Sequence, residues 1–270
     1  MKKREIRSLG IMLTALLPAL VLAEAKPEPI NKAHVKPAHG NHLLRTFNWT
    51  GADKKAKQVS FSLSKSRIKR ELNKFGVPRG QENALLLQKK GFKHIGVSKG
   101  VEVYMVNYQE VFLRNLEYFR SLTQILYDAI KPQPPERQLM EFLVFVQAIT
   151  YKKPPFYYNN KFINSFFPPL ICLYEQSGDC DSKSVLLAVF LTSDNNEEKT
   201  ALLFINHLGL KHSILLVKRM PSPGMSAIFI KGKGYYIPLE TSSPGWAPGF
   251  VNQRIWSAIT SGNFRFSELQ

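Results

Sequence analysis

Gly178-Asp179-Cys180-Asp181-Ser182-Lys183-Ser184-Val185-Leu186-Leu187-Ala188 is the stretch on which the reading of this chain turns. Gly178, Asp179 and Asp181 are turn and cap residues, and every residue from Val185 to Leu191 is apolar. The pattern predicts a helix that starts at the cysteine and is buried on all sides. A thiol at such a helix start meets free backbone N–H groups and the positive end of the helix dipole, which favour thiolate over thiol. Cys180 is therefore the candidate nucleophile. Its alternative, a structural core cysteine, is disfavoured by those turn and cap residues.

The compartment bears on that thiol. Lys2, Lys3, Arg4 and Arg7 precede an apolar stretch from Leu9 to Ala23 interrupted by Pro18, which reads as a secretory signal peptide over residues 1–25. The stretch is about 15 residues, short of the roughly 20 that span a bilayer, so an uncleaved membrane anchor is the alternative and an exported, periplasmic or secreted, chain the expectation. In an oxidising compartment the only other cysteine, Cys172, is a candidate disulfide partner for Cys180.

Removing residues 1–25 takes away those four basic residues together with Glu5 and Glu24, so the net charge falls only from +17 to +15. The lysines are scattered, without the basic stripe and interleaved aromatics of a nucleic-acid module, so no nucleic acid is expected. Anionic envelope polymers, membrane headgroups or acidic protein substrates suit the charge better, and a protein whose function lies in that charge alone is one alternative. No cofactor fingerprint or internal repeat is visible, and none of His34, His39 and His42 has metal-ligand spacing, so neither cofactor nor metal is expected.

Working outward, residues 26–44 are rich in Pro, Lys, His and Asn and read as a flexible leader. Residues 45–130 form an N-terminal hairpin and helical region. Thr46–Trp49 and Val59–Leu63 alternate around Gly51-Ala52-Asp53 as a hairpin does, and Ser64 or Ser66 caps a helix to about Phe75. A short helix from Glu82 to Lys90, a strand from Val101 to Val106 and a long helix from Tyr108 to Ile130 follow. Pro132, Pro134 and Pro135 break that helix, and another runs from Glu136 to near Tyr151. The aromatic segment from Tyr151 to Pro169 reads as a long loop or lid that lines a groove or packs. A turn of helix from Pro168 to Glu175 leads to Cys180, and Asp194-Asn195-Asn196 ends the cysteine helix. Strands are then expected at Ala201–Ile205, His212–Val217, Ser226–Ile230 and Tyr235–Glu240, punctuated by Gly and Pro turns. A buried helix packed on such an antiparallel meander is an α+β arrangement.

Gly-Asp-Cys-Asp opening an apolar helix, a later strand opening with His212 and another ending in Glu240 together resemble the transglutaminase-like cysteine enzymes of the papain-like group. Phe145-Val146-Gln147-Ala148-Ile149-Thr150-Tyr151, Leu239-Glu240-Thr241-Ser242-Ser243-Pro244-Gly245-Trp246 and Phe47-Asn48-Trp49 resemble what bacterial and archaeal members carry at those places. The resemblance implies a catalytic core over 131–270 in which Cys180 attacks an amide or acyl carbonyl, His212 moves the proton and Glu240, where many members have Asp, orients the imidazole. His207 is the alternative base. The Cys180 N–H and a side-chain amide, Gln147 or Gln176, are the candidate oxyanion donors. A protein or peptide substrate follows, with membrane contact only through an uncleaved N-terminus. A non-catalytic binding or scaffolding protein on the same fold is the alternative, motivated by Glu240 and by the disulfide.

Overall fold

In the computed structural model, residues 40–130, 135–193 and 198–270 are described. The predicted signal peptide, most of the leader, Pro132, Pro134 and the Asp194-Asn195-Asn196 stop lie outside them.

Strands β1 (His42–Thr50) and β2 (Ala56–Ser64) pair antiparallel with Phe47 opposite Val59. Phe47, Trp49, Val59, Phe61 and Leu63 are buried and their neighbours largely outward, the period of two that a hairpin with one wet face requires. Because Leu43 and Leu44 join that ladder opposite Leu63 and Ser62, the leader read as 26–44 stops short of His42. Helix α1 (Lys65–Lys74) is capped by the Ser64 hydroxyl, which accepts from the Arg67 N–H.

A short β3 (Val77–Pro78), α2 (Ala84–Lys89) and a second hairpin of β4 (Phe92–Ser98) and β5 (Val101–Val106) follow. The sequence reading missed β4, whose ladder is shifted by a bulge between His94 and Gly96 and whose side chains are mostly exposed, so alternation is weak there. Helices α3 (Tyr108–Ile130) and α4 (Pro135–Ala148) come next. Pro135, expected to break the chain, is instead the first residue of α4, where a missing N–H costs nothing.

The segment read as a loop or lid holds β6 (Thr150–Tyr151), β7 (Tyr157–Tyr158) and β8 (Lys161–Phe162). Strand β8 pairs with β3, and Ile163, Phe166 and Phe167 are buried, so the second half of the segment packs against the N-terminal region instead of crossing the surface. Helix α5 (Pro169–Glu175) and β9 (Ser177–Gly178) lead into α6 (Cys180–Ser193).

The remaining strands, β10 (Thr200–His207), β11 (Leu210–Lys218), β12 (Ile228–Ile230), β13 (Gly234–Leu239) and, after α7 (Gln253–Thr260), β14 (Phe264–Glu268), form one antiparallel sheet in the order β12-β13-β11-β10-β14. The fold is α+β. The sheet buries both faces: Leu202, Leu215, Val217, Ile237 and Leu239 join the core of α6, while Ala201, Leu203, Ile205, Ile214 and Leu216 pack with Ile255, Ala258 and Ile259 of α7. Helix α6 meets neighbours on every side, and the Phe190 ring alone packs against Phe61, Phe119, Phe142 and Phe145. That enclosure explains the uninterrupted apolar run from Val185 to Leu191, in which each Val, Leu and Phe contributes about 1.5–3 kcal/mol on burial.

Candidate active site

Cys180 stands at the first residue of α6, half-buried, where the opening N–H groups have no carbonyl of their own helix to bond. Gly178 makes the approach to it. A Cβ there would lie 2.8 Å from Cys172 Sγ and 3.0 Å from Ser182 Cβ, so only glycine lets α5 and the start of α6 pack this closely. Asp179 Oδ1 accepts from the Ser182 hydroxyl at 2.6 Å and the Ser182 N–H at 3.4 Å, and Ser182 Oγ in turn accepts from the Phe167 N–H at 3.0 Å. The first turn of α6 is thus fastened to the aromatic segment before it.

The sheet brings a histidine and a carboxylate to that turn. His212 of β11 faces the Cys180 thiol closely enough that each acts on the other's charge. Nε2 of His212 lies 2.8 Å from Glu240 Oε2, which leaves Nδ1 for the thiol. Glu240 follows the last residue of β13 and is buried; its Oε1 accepts from the Ser242 N–H at 2.8 Å and hydroxyl at 2.7 Å. Thr241 anchors the same turn to α6, pairing with the Ser184 hydroxyl at 3.0 Å and donating to the Cys180 carbonyl at 3.4 Å.

The electrostatics follow the geometry. Burial opposes the thiolate at Cys180, but the hydrogen bond and charge of His212, with a smaller contribution from Ser213, outweigh it and lower the thiol pKa. Burial likewise opposes the imidazolium, yet Cys180 and Glu240 together push His212 up to about 10. Glu240 is held below the usual carboxylate range by His212 and Ser242 against its own burial. Each partner favours its neighbour's charged form.

Tyr151, which the sequence reading gave no role, completes the group. Its strand β6 pairs in parallel with β9, Tyr151 opposite Gly178, and this places the phenol beside Cys180. Burial, the charges of Cys180, Asp179 and Asp181 and the hydrogen bond with Cys180 push Tyr151 up to about 12, so its O–H stays a donor. Behind Cys180, Tyr108 donates to Asp181 Oδ2 at 2.6 Å, and burial together with Asp179 raises Asp181 well above the ordinary value.

No protein-family model matches the chain, and no curated protein matches it. Among solved structures, Legionella pneumophila LapG has a TM-score of 0.34 at 13% identity over 60% of this chain and 79% of that one. The EGTA-treated form of LapG gives 0.32 at 15% identity over 52% of this chain and 77% of that one. A crystal structure from Parabacteroides distasonis gives 0.30 at 10% identity, over 77% of this chain and 42% of its own. Likeness this distant does not bear on activity, which rests on the residues themselves.

Of the residues singled out from the sequence, Cys180, His212 and Glu240 are brought together. His207 ends β10 opposite Leu210 at the hairpin, while His212 is the imidazole that bonds Glu240. Gln147 does not serve as an oxyanion donor: its Nε2 commits both hydrogens, to the carbonyls of Glu240 and Trp246, each at 2.8 Å. Gln176 directs its amide to the Thr46 carbonyl at 2.9 Å, tying the left-handed C-cap of α5 to β1. Cys172 and Cys180 are both free thiols, the first buried and the second half-buried. Among the described residues, no group of three His, Cys, Asp or Glu side chains is placed to hold a metal ion. No described helix is long and apolar enough to cross a membrane.

Proposed function

We propose that the protein is an exported thiol enzyme of the transglutaminase-like, papain-like type, cleaving or transferring an amide or acyl group through Cys180, His212 and Glu240. The observation that carries this reading is the continuous run of contacts from the Cys180 thiol through His212 to Glu240 and Ser242, beginning at a helix N-terminus. The Cys180 thiolate adds to the carbonyl carbon. As the tetrahedral adduct collapses, the C–N bond breaks, and the amine leaves with the proton held by His212. The neutral imidazole then takes a proton from water or from a second amine as that nucleophile displaces Cys180 from the thioester, which restores the thiolate and imidazolium. The oxyanion donors are the Cys180 N–H and, in place of an amide side chain, the Tyr151 hydroxyl. These steps need neither metal nor cofactor.

Substrate and place follow from the chain's other features. The N-terminal charged and apolar stretch supports export, and the +15 charge left without residues 1–25 supports an acidic protein or peptide substrate or an anionic envelope polymer as neighbour. A direct test incubates the protein with casein and a fluorescent primary amine. New peptide N-termini report hydrolysis and amine incorporation reports transfer. One of the two is expected from the natural sequence and neither from Cys180→Ala; equal signals from both proteins overturn the proposal.

A further inference from the structure

Lys183 takes no part in the steps above, yet it is fully buried one turn into α6 from Cys180. Its Nζ donates to three backbone carbonyls, Ile149 at 2.8 Å, Gln147 at 3.1 Å and Ser242 at 3.5 Å. An ammonium has three N–H donors, and here all three are used. Burial holds its pKa down at about 8, against the pull of Cys172 and Glu240. Placing a cation in an apolar core is costly, and methionine would fill the same space without that cost. What methionine lacks is the means to satisfy three converging carbonyls.

Those carbonyls belong to the two segments that complete the site. Gln147 and Ile149 lie at the end of α4 and just beyond it, immediately before the strand that carries Tyr151. Ser242 is the residue whose N–H and hydroxyl hold Glu240 Oε1. Gln147 reinforces the same junction, since its side chain donates to the Glu240 and Trp246 carbonyls while its own carbonyl receives Lys183. One buried ammonium therefore joins the nucleophile helix, the Tyr151 strand and the Glu240–Ser242 turn.

We propose that Lys183 is a positioning residue that pins the Tyr151 strand and the Glu240–Ser242 turn to the first turn of α6, and so sets how strongly His212 holds Cys180 as thiolate. This rests on the reading of Cys180, His212 and Glu240 as the reacting groups. Without the ammonium, Ser242 loses one of its fixed contacts, Glu240 holds His212 less firmly, and the thiol pKa rises.

The test is the pH profile of Cys180 alkylation by iodoacetamide, resolved from Cys172 by peptide mass spectrometry, in the natural protein, Lys183→Met and Lys183→Gln. Cys172 is fully buried, so its protection reports that a variant is folded. With Cys172 protected, either substitution is expected to move the Cys180 midpoint upward by about one pH unit, a fall of about tenfold in labelling rate at acid pH. A folded variant with the natural profile overturns the positioning role. Variants in which Cys172 labels as fast as in urea make Lys183 a folding residue and overturn it too. Failure of the underlying reading looks different: the natural protein itself then labels Cys180 like a free thiol, and His212→Ala changes nothing.

Discussion

Cys172 and Cys180 stand on consecutive helices with Gly178 packed between them, and they are opposite in kind. Cys172 lies inside α5, fully buried, where desolvation pushes its thiol up to about 12 despite the nearby Lys183. Cys180 opens α6, half-buried, with His212 bonded to it, and its pKa is lowered although burial acts on it as well. Proximity to a cation does not make the difference, because Cys172 has Lys183 close by. A hydrogen-bonded imidazolium, backed by its own carboxylate at a helix start, overcomes desolvation where a lysine engaged with carbonyls does not.

The largest expected effect separates the two thiols outright. Cys180→Ala should lower acyl transfer or hydrolysis by at least about a thousandfold, while Cys172→Ala should leave the rate within about twofold. Comparable losses from both would erase the contrast. Next in size, His212→Ala should return Cys180 to the range of an ordinary thiol, cutting its alkylation rate at about pH 6 by roughly a hundredfold and leaving Cys172 protected. Tyr151→Phe should cost at least about tenfold in kcat with little change in KM, as loss of a donor that acts on the transition state does; a KM effect alone would make Tyr151 a substrate-binding group instead.

The pH dependence has a sign that can be worked out. Activity should rise below the ordinary thiol pKa, because Cys180 is lowered, and fall as pH passes about 10, where His212 loses its proton. The same imidazolium contributes folding stability that is complete below its ordinary value of 6.5 and is lost as pH rises through about 10. Glu240 behaves oppositely: its contribution is present above its ordinary value of 4.5 and is lost as pH falls through its lowered folded value. Denaturant midpoints across pH check this, and Glu240→Gln should flatten the acid limb. The smallest effect lies between the cysteines. Gly178→Ala forces a methyl onto Cys172 Sγ and Ser182 Cβ and should cost about 1–3 kcal/mol of stability, measured by urea unfolding; no cost would mean that α5 and α6 pack less closely than described.

Much of this was legible in the sequence because local chemistry and burial agreed there. Ser64, the apolar run after Cys180 and the Gly and Pro turns between strands marked α1, α6 and the sheet from β10 to β13. Glu240 and His212 stood out through the family resemblance, which a strand opening with His and a strand ending in an acid carry after the cysteine helix. The C-terminal α7 was missed although Asn252 caps it and Ile255, Ala258 and Ile259 share its buried face; β14 was missed because its pairing with β10 is long-range and leaves little local signature. Tyr151 lay within a segment already singled out, but its place beside Cys180 depends on a two-residue parallel pairing with β9 that no periodicity reveals. Gln147 and Gln176 are both candidate oxyanion donors by their nearness in sequence; their partners, the carbonyls of Glu240 and Trp246 for one and of Thr46 for the other, are set by tertiary packing. Lys183 was in plain view as the one cation in α6.

The central claim is that Cys180, and not Cys172, is held as a thiolate by His212. Peptide-resolved iodoacetamide labelling of the unmodified protein between about pH 5 and pH 9 tests it most directly. Cys180 should label rapidly at acid pH, with a midpoint well below that of a free thiol, while Cys172 stays unlabelled until the protein is unfolded. A Cys180 profile that follows a free thiol with a midpoint near 8.5, or labelling of both cysteines at one rate in the folded protein, would contradict it.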